Sequence, residues 1–167
     1  MKLIKKIRKQ FWLAVGLLTG MSATFLLMPL ASGLTGQTGG WSIRLLGLAF
    51  WALAISGYVT VGRANQNRKK YLHKRFGEDI QKKYRPGVLG VFSNPLAKVI
   101  DIMLAVLAVV FVAALFSRIR NTYFTIVIMA LVVWAANMHC LFNGRIYRIT
   151  KKEHKYVKNE HKERGKL

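Results

Sequence analysis

The sequence has little negative charge and almost no cysteine. Six Asp and Glu residues stand against 27 Lys and Arg residues, so the formal net charge is +21 at pH 7. The one cysteine, Cys140, cannot form an intramolecular disulfide and cannot build a Cys-rich zinc site. Glu78 and Asp79 are adjacent in a basic segment, so they do not indicate a pair of catalytic carboxylates.

Familiar catalytic motifs are absent from the sequence as well. It contains no G-x-S-x-G nucleophile elbow, no H-E-x-x-H metal motif and no P-loop. His139 and Cys140 are adjacent, and successive side chains on a helix diverge by about 100°, so the two cannot easily chelate one ion or act as a Cys–His pair. We therefore predict no catalytic residue, no metal site, no cofactor and no enzymatic activity.

What the sequence does contain is four long apolar stretches. A membrane-spanning helix needs ~20 mostly apolar residues, and these stretches cover residues 11–31, 41–61, 96–116 and 123–142. The basic leader before the first stretch resembles that of a signal peptide, but the apolar run is longer than the usual ~7–15 residues. The predicted fold class is an all-α integral membrane protein. A single membrane domain over residues 1–167 would contain four transmembrane helices packed as a bundle.

The basic residues lie in blocks that predict an orientation. Lys and Arg concentrate in the cytoplasmic loops of membrane proteins, and here five precede the first span, nine lie between residues 63 and 85, and nine follow residue 142. The other two connections hold only Arg44, Arg118 and Arg120. We predict that both termini and the middle loop are cytoplasmic, in a bacterial plasma membrane. Since the basic blocks flank apolar spans, the expected partner is anionic lipid rather than nucleic acid.

The middle loop, residues 62–95, is predicted to hold a basic amphipathic helix. Apolar residues recur every fourth position from Leu72 to Tyr84, along one side of a helix over about residues 68–84. Such a helix can lie in the membrane interface with its cations among headgroups. The predicted headgroup-binding residues of this loop and of the basic tail, residues 143–167, are Lys69, Lys70, Lys74, Arg75, Lys82, Lys83, Arg145 and Arg148. A stop-transfer anchor without a partner, or docking of another protein, are the alternatives.

The ends of the last two spans carry helix start and stop signals. Asn94 can cap the third helix and Pro95 suits its first position. Asn143 and Gly144 suit the end of the fourth helix. The polar stretch around His139 is therefore interpreted mainly as a helix that ends at the membrane surface.

Polar residues near these ends form the candidate site. Asp101 is the only acid in a predicted span, which makes it a functional candidate. It lies about seven residues into the third helix, or ~10 Å at ~1.5 Å per residue. His139 lies at a similar depth on the antiparallel fourth helix, with Asn137 one layer deeper. We predict a polar cluster of Asp101, Asn137 and His139 that is either a clamp between helices or a proton-coupled substrate site.

The remaining pattern concerns helix packing and the choice of function. Gly16 and Gly20 form G-x-x-x-G on the first span, which favours close packing against another helix.

The predicted function is that of a non-enzymatic scaffold or subunit that binds anionic lipid, another membrane protein or further copies of itself. The alternative is a small oligomeric transporter or channel that uses Asp101, Asn137 and His139.

Overall fold

The computed structural model describes residues 2–35, 40–76, 91–116 and 122–147. Within these residues the protein is all-helical, with 94% of them in helix and none in a strand. The four long helices are α1 (Lys2–Thr35), α2 (Trp41–Phe76), α3 (Pro95–Phe116) and α4 (Thr122–Phe142). Each contains a segment long and apolar enough to cross a membrane, which confirms the four apolar helices predicted from the sequence.

Two of the helices extend beyond the apolar spans predicted from the sequence. α1 begins at Lys2, nine residues before residue 11, and α2 continues past residue 61 to Phe76. Lys, Arg and Gln are frequent in both extensions, and these residues favour helix even where they are too polar for lipid. The first part of the predicted loop helix, residues 68–76, is thus a direct continuation of α2. Residues 77–84 lie outside the described residues.

The α1–α2 contact is a seam of small and apolar side chains. On α1 the buried residues recur at alternating spacings of four and three, on the sides that face α2 and α4: Ile7, Phe11, Ala14, Leu18 and Met21. This 3.5-residue repeat is typical of two helices that pack along their whole length. At Gly57 on α2 an added Cβ would lie 2.8 Å from Cδ2 of Leu18. The Leu18 side chain therefore packs into the space that is left because position 57 has no side chain.

The glycine pattern predicted on α1 contributes less to this seam. Gly16 lies on the exposed side of α1, and an added Cβ there would meet nothing within 4 Å. Gly20 faces Leu53, but an added Cβ would lie 3.4 Å from that side chain, an ordinary contact. The close approach therefore depends on Gly57 rather than on Gly16. Spacing alone did not reveal which face of α1 meets α2.

The contacts between the helices follow a single order, called the helix row below. In the described residues α1 packs against both α2 and α4, and α3 packs against α4, which gives the order α2–α1–α4–α3. The two inner helices are accordingly more buried: 28% of the apolar segment of α1 and of α4, against 11% for α2 and 17% for α3. An apolar face that meets lipid carries no hydrophobic penalty, so a row has no need to close as it would in water.

A polar junction at the basic end of the helices

One end of the helix row collects the basic residues. Gln10 accepts a hydrogen bond from Asn67 at 2.8 Å, and the rings of Phe11 and Phe142 lie 5.5 Å apart, so the start of α1 and the ends of α2 and α4 lie together. The cations of this region, called the basic end below, are Lys5, Lys6, Arg8, Lys9, Arg63, Arg68, Lys69, Lys70, Lys74, Lys98 and Arg145. At the opposite end the described residues include one cation, Arg44.

Asp101 lies at the centre of the polar contacts at this end. Its Oδ1 is 2.6 Å from Nδ1 of His139 and accepts a 2.8 Å hydrogen bond from Nδ2 of Asn143. Its Oδ2 accepts a 2.7 Å bond from the backbone N–H of Phe92. The carboxylate is thus shared by α3, the end of α4 and the segment that precedes α3. We call Asp101, His139 and Asn143 the polar junction.

The hydrogen-bond pattern fixes the roles of His139 and Asn143. An ionised carboxylate can only accept, so the proton in the 2.6 Å contact between Asp101 and His139 is assigned to Nδ1 of the imidazole. The 3.1 Å approach of Asn143 Nδ2 to the same Nδ1 is then a contact between two donors. The amide of Asn143 is oriented by Ser93, whose backbone N–H and hydroxyl both donate to its Oδ1, at 3.2 and 2.8 Å. Its Nδ2 therefore faces Asp101. The carboxylate holds the imidazole in one tautomer and one orientation.

The segment before α3 is held in an unusual backbone conformation. Phe92 has φ = 54°, in the left-handed region that bulky residues seldom adopt and that costs roughly 1–3 kcal/mol. Its N–H bond to Asp101 compensates for part of that cost. Next along the chain, Asn94 Oδ1 accepts from the N–H of Ala97 at 3.0 Å, which confirms the predicted cap, with Pro95 at the first helical position. Asn94 also donates to the carbonyl of Phe142 at 2.9 Å.

The end of α4 meets this segment through a tight turn. The N–H of Asn143 bonds to the carbonyl of His139 at 2.9 Å, and the N–H of Gly144 bonds to that of Leu141 at 3.2 Å. A Cβ at position 144 would lie 2.6 Å from the carbonyl oxygen of Cys140, so only glycine fits. The interpretation of this stretch as a helix end is confirmed, since α4 ends at Phe142.

Asn137 lies apart from the polar junction. Its Oδ1 accepts a 2.9 Å bond from the hydroxyl of Tyr58 on α2, and its Nδ2 donates to the carbonyl of Val133. Residues two apart on a helix point roughly 200° away from each other, so Asn137 and His139 face different neighbours. Asn143 is four residues from His139 and shares its face. The spacing of four residues from His139 indicates this shared face, although the helix signals alone predict Asn143 only as a helix end.

The predicted headgroup-binding cations are described only in part. Lys69, Lys70, Lys74 and Arg145 are exposed at the basic end. The side chain of Arg75, and residues Lys82, Lys83 and Arg148, lie outside what the structure describes.

The polar junction can hold two segments of the chain together and keep the imidazole of His139 in one orientation. Every Asp101 oxygen has a donor, and of the described residues no other Asp, Glu, His or Cys joins the group to make a three-ligand metal site. Cys140 is exposed and, as the neighbour of His139, points away from that side chain's face. The arrangement fastens the segment before α3 to the end of α4.

Comparison of the chain with models of protein families, with curated proteins and with solved structures gives no match.

Proposed function

We propose that this is a multi-pass protein of the bacterial plasma membrane, with both termini cytoplasmic, that acts as a non-enzymatic scaffold or subunit by binding anionic lipid. The observation that carries the proposal is the collection of cations at one end of the helix row. In a membrane this end would face the cytoplasm, because Lys and Arg are retained on that side. The same cations would then lie among the anionic headgroups of that leaflet.

The charge balance at the basic end supports an external anionic partner. Among the described residues Asp101 is the only acid, and its oxygens already accept from Phe92, His139 and Asn143. The exposed cations Lys69, Lys70 and Lys74 therefore have no carboxylate partner in the described part of the chain. Each cation near an anionic surface contributes ~1 kcal/mol to binding, less at high salt.

The helix row also supports a role as a subunit. The outer faces of α2 and α3 expose large apolar side chains, among them Leu48 and Trp51 on α2 and Val99 and Val109 on α3. These faces can contact lipid tails, another membrane protein or a second copy of the chain. For the transporter or channel alternative the geometry offers less support, because Asp101 and Asn137 are both engaged in contacts between structural elements.

Two measurements test the proposal. For orientation, Cys140 is replaced by serine and a single cysteine is placed at Gln37 or at Lys158. A membrane-impermeant maleimide added to intact cells should label the first variant and leave the second unlabelled; labelling of the second contradicts the orientation.

For lipid binding, the purified protein is exposed to phosphatidylglycerol or to phosphatidylcholine and its bound lipids are counted by native mass spectrometry. We expect a preference for phosphatidylglycerol that weakens when Lys69, Lys70 and Lys74 are together changed to Gln. The matched control is Arg44→Gln, which removes a cation from the opposite end and should leave the preference unchanged. Equal binding of both lipids would contradict the proposal.

A further inference from the structure

α1 and α2 stay paired beyond the apolar part of each helix. Ile7 on α1 and Ala64 on α2 are fully buried, and both belong to the main hydrophobic cluster of the described residues. Residues 2–10 and 62–76 therefore form a paired extension of the helix row and not two separate helix ends. Neither of these two ranges contains an Asp or a Glu.

One side of α2 in this extension carries polar residues at successive spacings of four, three and four: Arg63, Asn67, Lys70 and Lys74. Such spacings keep side chains on one side of a helix. Asn67 donates a 2.8 Å hydrogen bond to the side chain of Gln10, so this side of α2 borders α1. Its three cations are all exposed.

α1 adds a fourth cation to the same side of the pair. Lys6 is exposed and lies four residues before Gln10, so the two share one side of α1. The helices run antiparallel, and Gln10 lies opposite Asn67, so the turn that holds Lys6 lies opposite the turn of α2 that follows Asn67. We call these four exposed cations the basic stripe: Lys6, Arg63, Lys70 and Lys74.

The basic stripe points away from α4. Tyr58 precedes Asn67 by nine residues, or about two and a half turns, and therefore lies on the opposite side of α2. On that opposite side Tyr58 bonds to Asn137 of α4. The side of the α1–α2 pair that carries the stripe is thus the side that α4 does not approach.

Acids are too few in this protein to neutralise its cations. The whole chain has six Asp and Glu residues against 27 Lys and Arg residues, so complete pairing would still leave an excess of 21 cations. The paired extension itself contributes no acid to the basic stripe. An exposed row of charges of one sign attracts and orients a partner of the opposite sign.

The height of the basic stripe above the membrane restricts what it can touch. Lys70 and Lys74 follow residue 61, the end of the predicted apolar span, by nine and 13 residues, or ~13 and ~20 Å along the helix at ~1.5 Å per residue. The headgroup layer of one leaflet is only roughly 5–8 Å thick. From beyond this layer the two lysines attract an anionic surface through a field that salt screens over about 8–10 Å. Direct contact at their height needs a partner outside the lipid.

We propose that the basic stripe is a docking surface for an acidic segment of a cytoplasmic protein, a partner beyond the lipid named above. The proposal rests on the cytoplasmic orientation of the basic end. Carboxylates that recur every third or fourth residue of an acidic helix match the spacing of the cations on α2. A protein is favoured over a nucleic acid because the stripe contains no aromatic side chain on which a base can stack.

The test uses the full-length protein in nanodiscs of neutral phosphatidylcholine, so that no anionic lipid competes for the cations. The probe is a fluorescent, helical, Glu-rich synthetic peptide, and its binding is measured by fluorescence anisotropy. A triple variant with Lys6→Gln, Lys70→Gln and Lys74→Gln should weaken binding by about tenfold, because three exposed ion pairs are lost. A Gln-rich peptide of the same length should not bind.

The same two helices provide a matched control. Lys5, Arg8 and Lys69 are exposed cations of the paired extension that lie off the basic stripe, since each is only one or two residues from the nearest position on that side. Changing all three to Gln removes the same charge and should weaken peptide binding by less than about threefold. Both triple variants alter only exposed side chains, so thermal unfolding should be the same for both.

Several outcomes would overturn the proposal. Equal weakening by the two triple variants would mean that net charge alone attracts the peptide, and absence of peptide binding to the unaltered protein would exclude the docking surface. Tighter binding of a single-stranded RNA of equal charge, lost in the stripe variant, would make the partner a nucleic acid.

The lipid-binding function is distinguished by repeating the lipid count with the stripe variant. If this variant binds the peptide normally and loses the preference for phosphatidylglycerol, the docking surface is wrong and the lipid-binding function stands. If the unaltered protein binds the peptide through the basic stripe and shows no lipid preference, the docking surface stands and the lipid-binding function fails.

Discussion

The two helix pairs of this protein are held together in different ways. α1 and α2 share a long seam of small and apolar side chains, in which Leu18 packs against Gly57. Across α3 and α4 the described hydrogen bonds between side chains gather at one end, where Asp101 joins His139 and Asn143. Packing of apolar side chains holds α1 and α2 together along their length, whereas hydrogen bonds hold α3 and α4 together at one end.

Because of this difference, the two helix pairs should respond differently when a single contact is lost. Apart from the Asn67–Gln10 bond the seam is mostly apolar, and when one of its contacts weakens the remaining contacts are largely independent of it. A polar junction depends on all of its members, since removing one leaves buried donors or acceptors without partners. The polar junction also holds the segment before α3, so it connects the helix row to the chain that enters it from the middle loop.

The largest expected loss in the free energy of unfolding is therefore for a substitution at Asp101. Asp101→Ala leaves the N–H groups of Phe92, His139 and Asn143 without their acceptor, and loss of one partner from a buried charged group costs about 3 kcal/mol or more. We expect the free energy of unfolding, measured in detergent, to fall by this amount. Hydrogen exchange should rise in residues 92–101 and stay low along the α1–α2 seam. An equal rise in both regions would show that the two helix pairs are not separately fastened.

A double variant tests whether the polar junction is only a clamp. Asp101→Asn alone places an amide N–H against the N–H of His139, whereas a glutamine at position 139 can offer an oxygen instead. The pair Asp101→Asn with His139→Gln should thus recover part of the stability lost by Asp101→Asn. If the pair folds and binds lipid as the unaltered protein does, the polar junction is structural. A folded double variant that has lost a measured activity would favour the transport alternative.

The next effect concerns the seam. Gly57→Ala places a Cβ 2.8 Å from the buried Leu18 side chain, and overpacking of this kind costs about 1–3 kcal/mol. Gly16→Ala is the matched control on the other helix, because its added Cβ would meet nothing within 4 Å. Thermal unfolding should show a clear loss for the first variant and none for the second. A loss at Gly16 instead would mean that its exposed side packs against another chain.

A smaller effect is expected at the start of α3. Asn94→Ala removes the cap on Ala97 and the bond to the carbonyl of Phe142, and loss of a cap costs about 1 kcal/mol. Asn94→Ser restores a capping oxygen but is too short to reach Phe142, so it should recover most of the cap and none of the second bond. If Ser and Ala destabilise equally in thermal unfolding, the bond to Phe142 matters more than the cap.

Much of the architecture followed from the sequence, because span length and helix signals are local. Four runs of about 20 apolar residues gave the four helices, and Asn94 with Pro95 gave the start of α3. The meeting of Asp101 and His139 also followed, since depth along two antiparallel helices can be counted in residues. These predictions required only the rise of an α-helix per residue and the polarity of the residue at each position.

What did not follow depends on which face of a helix meets which neighbour. Asn137 was expected in the polar junction and instead contacts Tyr58, while Asn143 occupies that place. Gly16 was expected at a helix contact that Gly57 makes. The order of the row was not predictable either, because in lipid an apolar face gives no sign of whether it meets a helix or an acyl chain.

The smallest expected effect is at the one described side-chain hydrogen bond that joins α2 to α4. Tyr58 donates to Asn137 past α1, although the two helices are not packed against each other. Tyr58→Phe keeps the ring and removes the hydroxyl, and a hydrogen bond between membrane helices contributes ~0.6 kcal/mol on average. We expect a loss of this size in detergent unfolding. Asn137→Ala also removes the bond to the carbonyl of Val133, and the two changes together should cost hardly more than Asn137→Ala alone, because both remove the same Tyr58–Asn137 bond. Additive losses would mean that this bond contributes nothing, and that outcome would return Asn137 to the candidate residues of a transport path. Small losses that are not additive would mean that the Tyr58–Asn137 bond only holds α2 near α4.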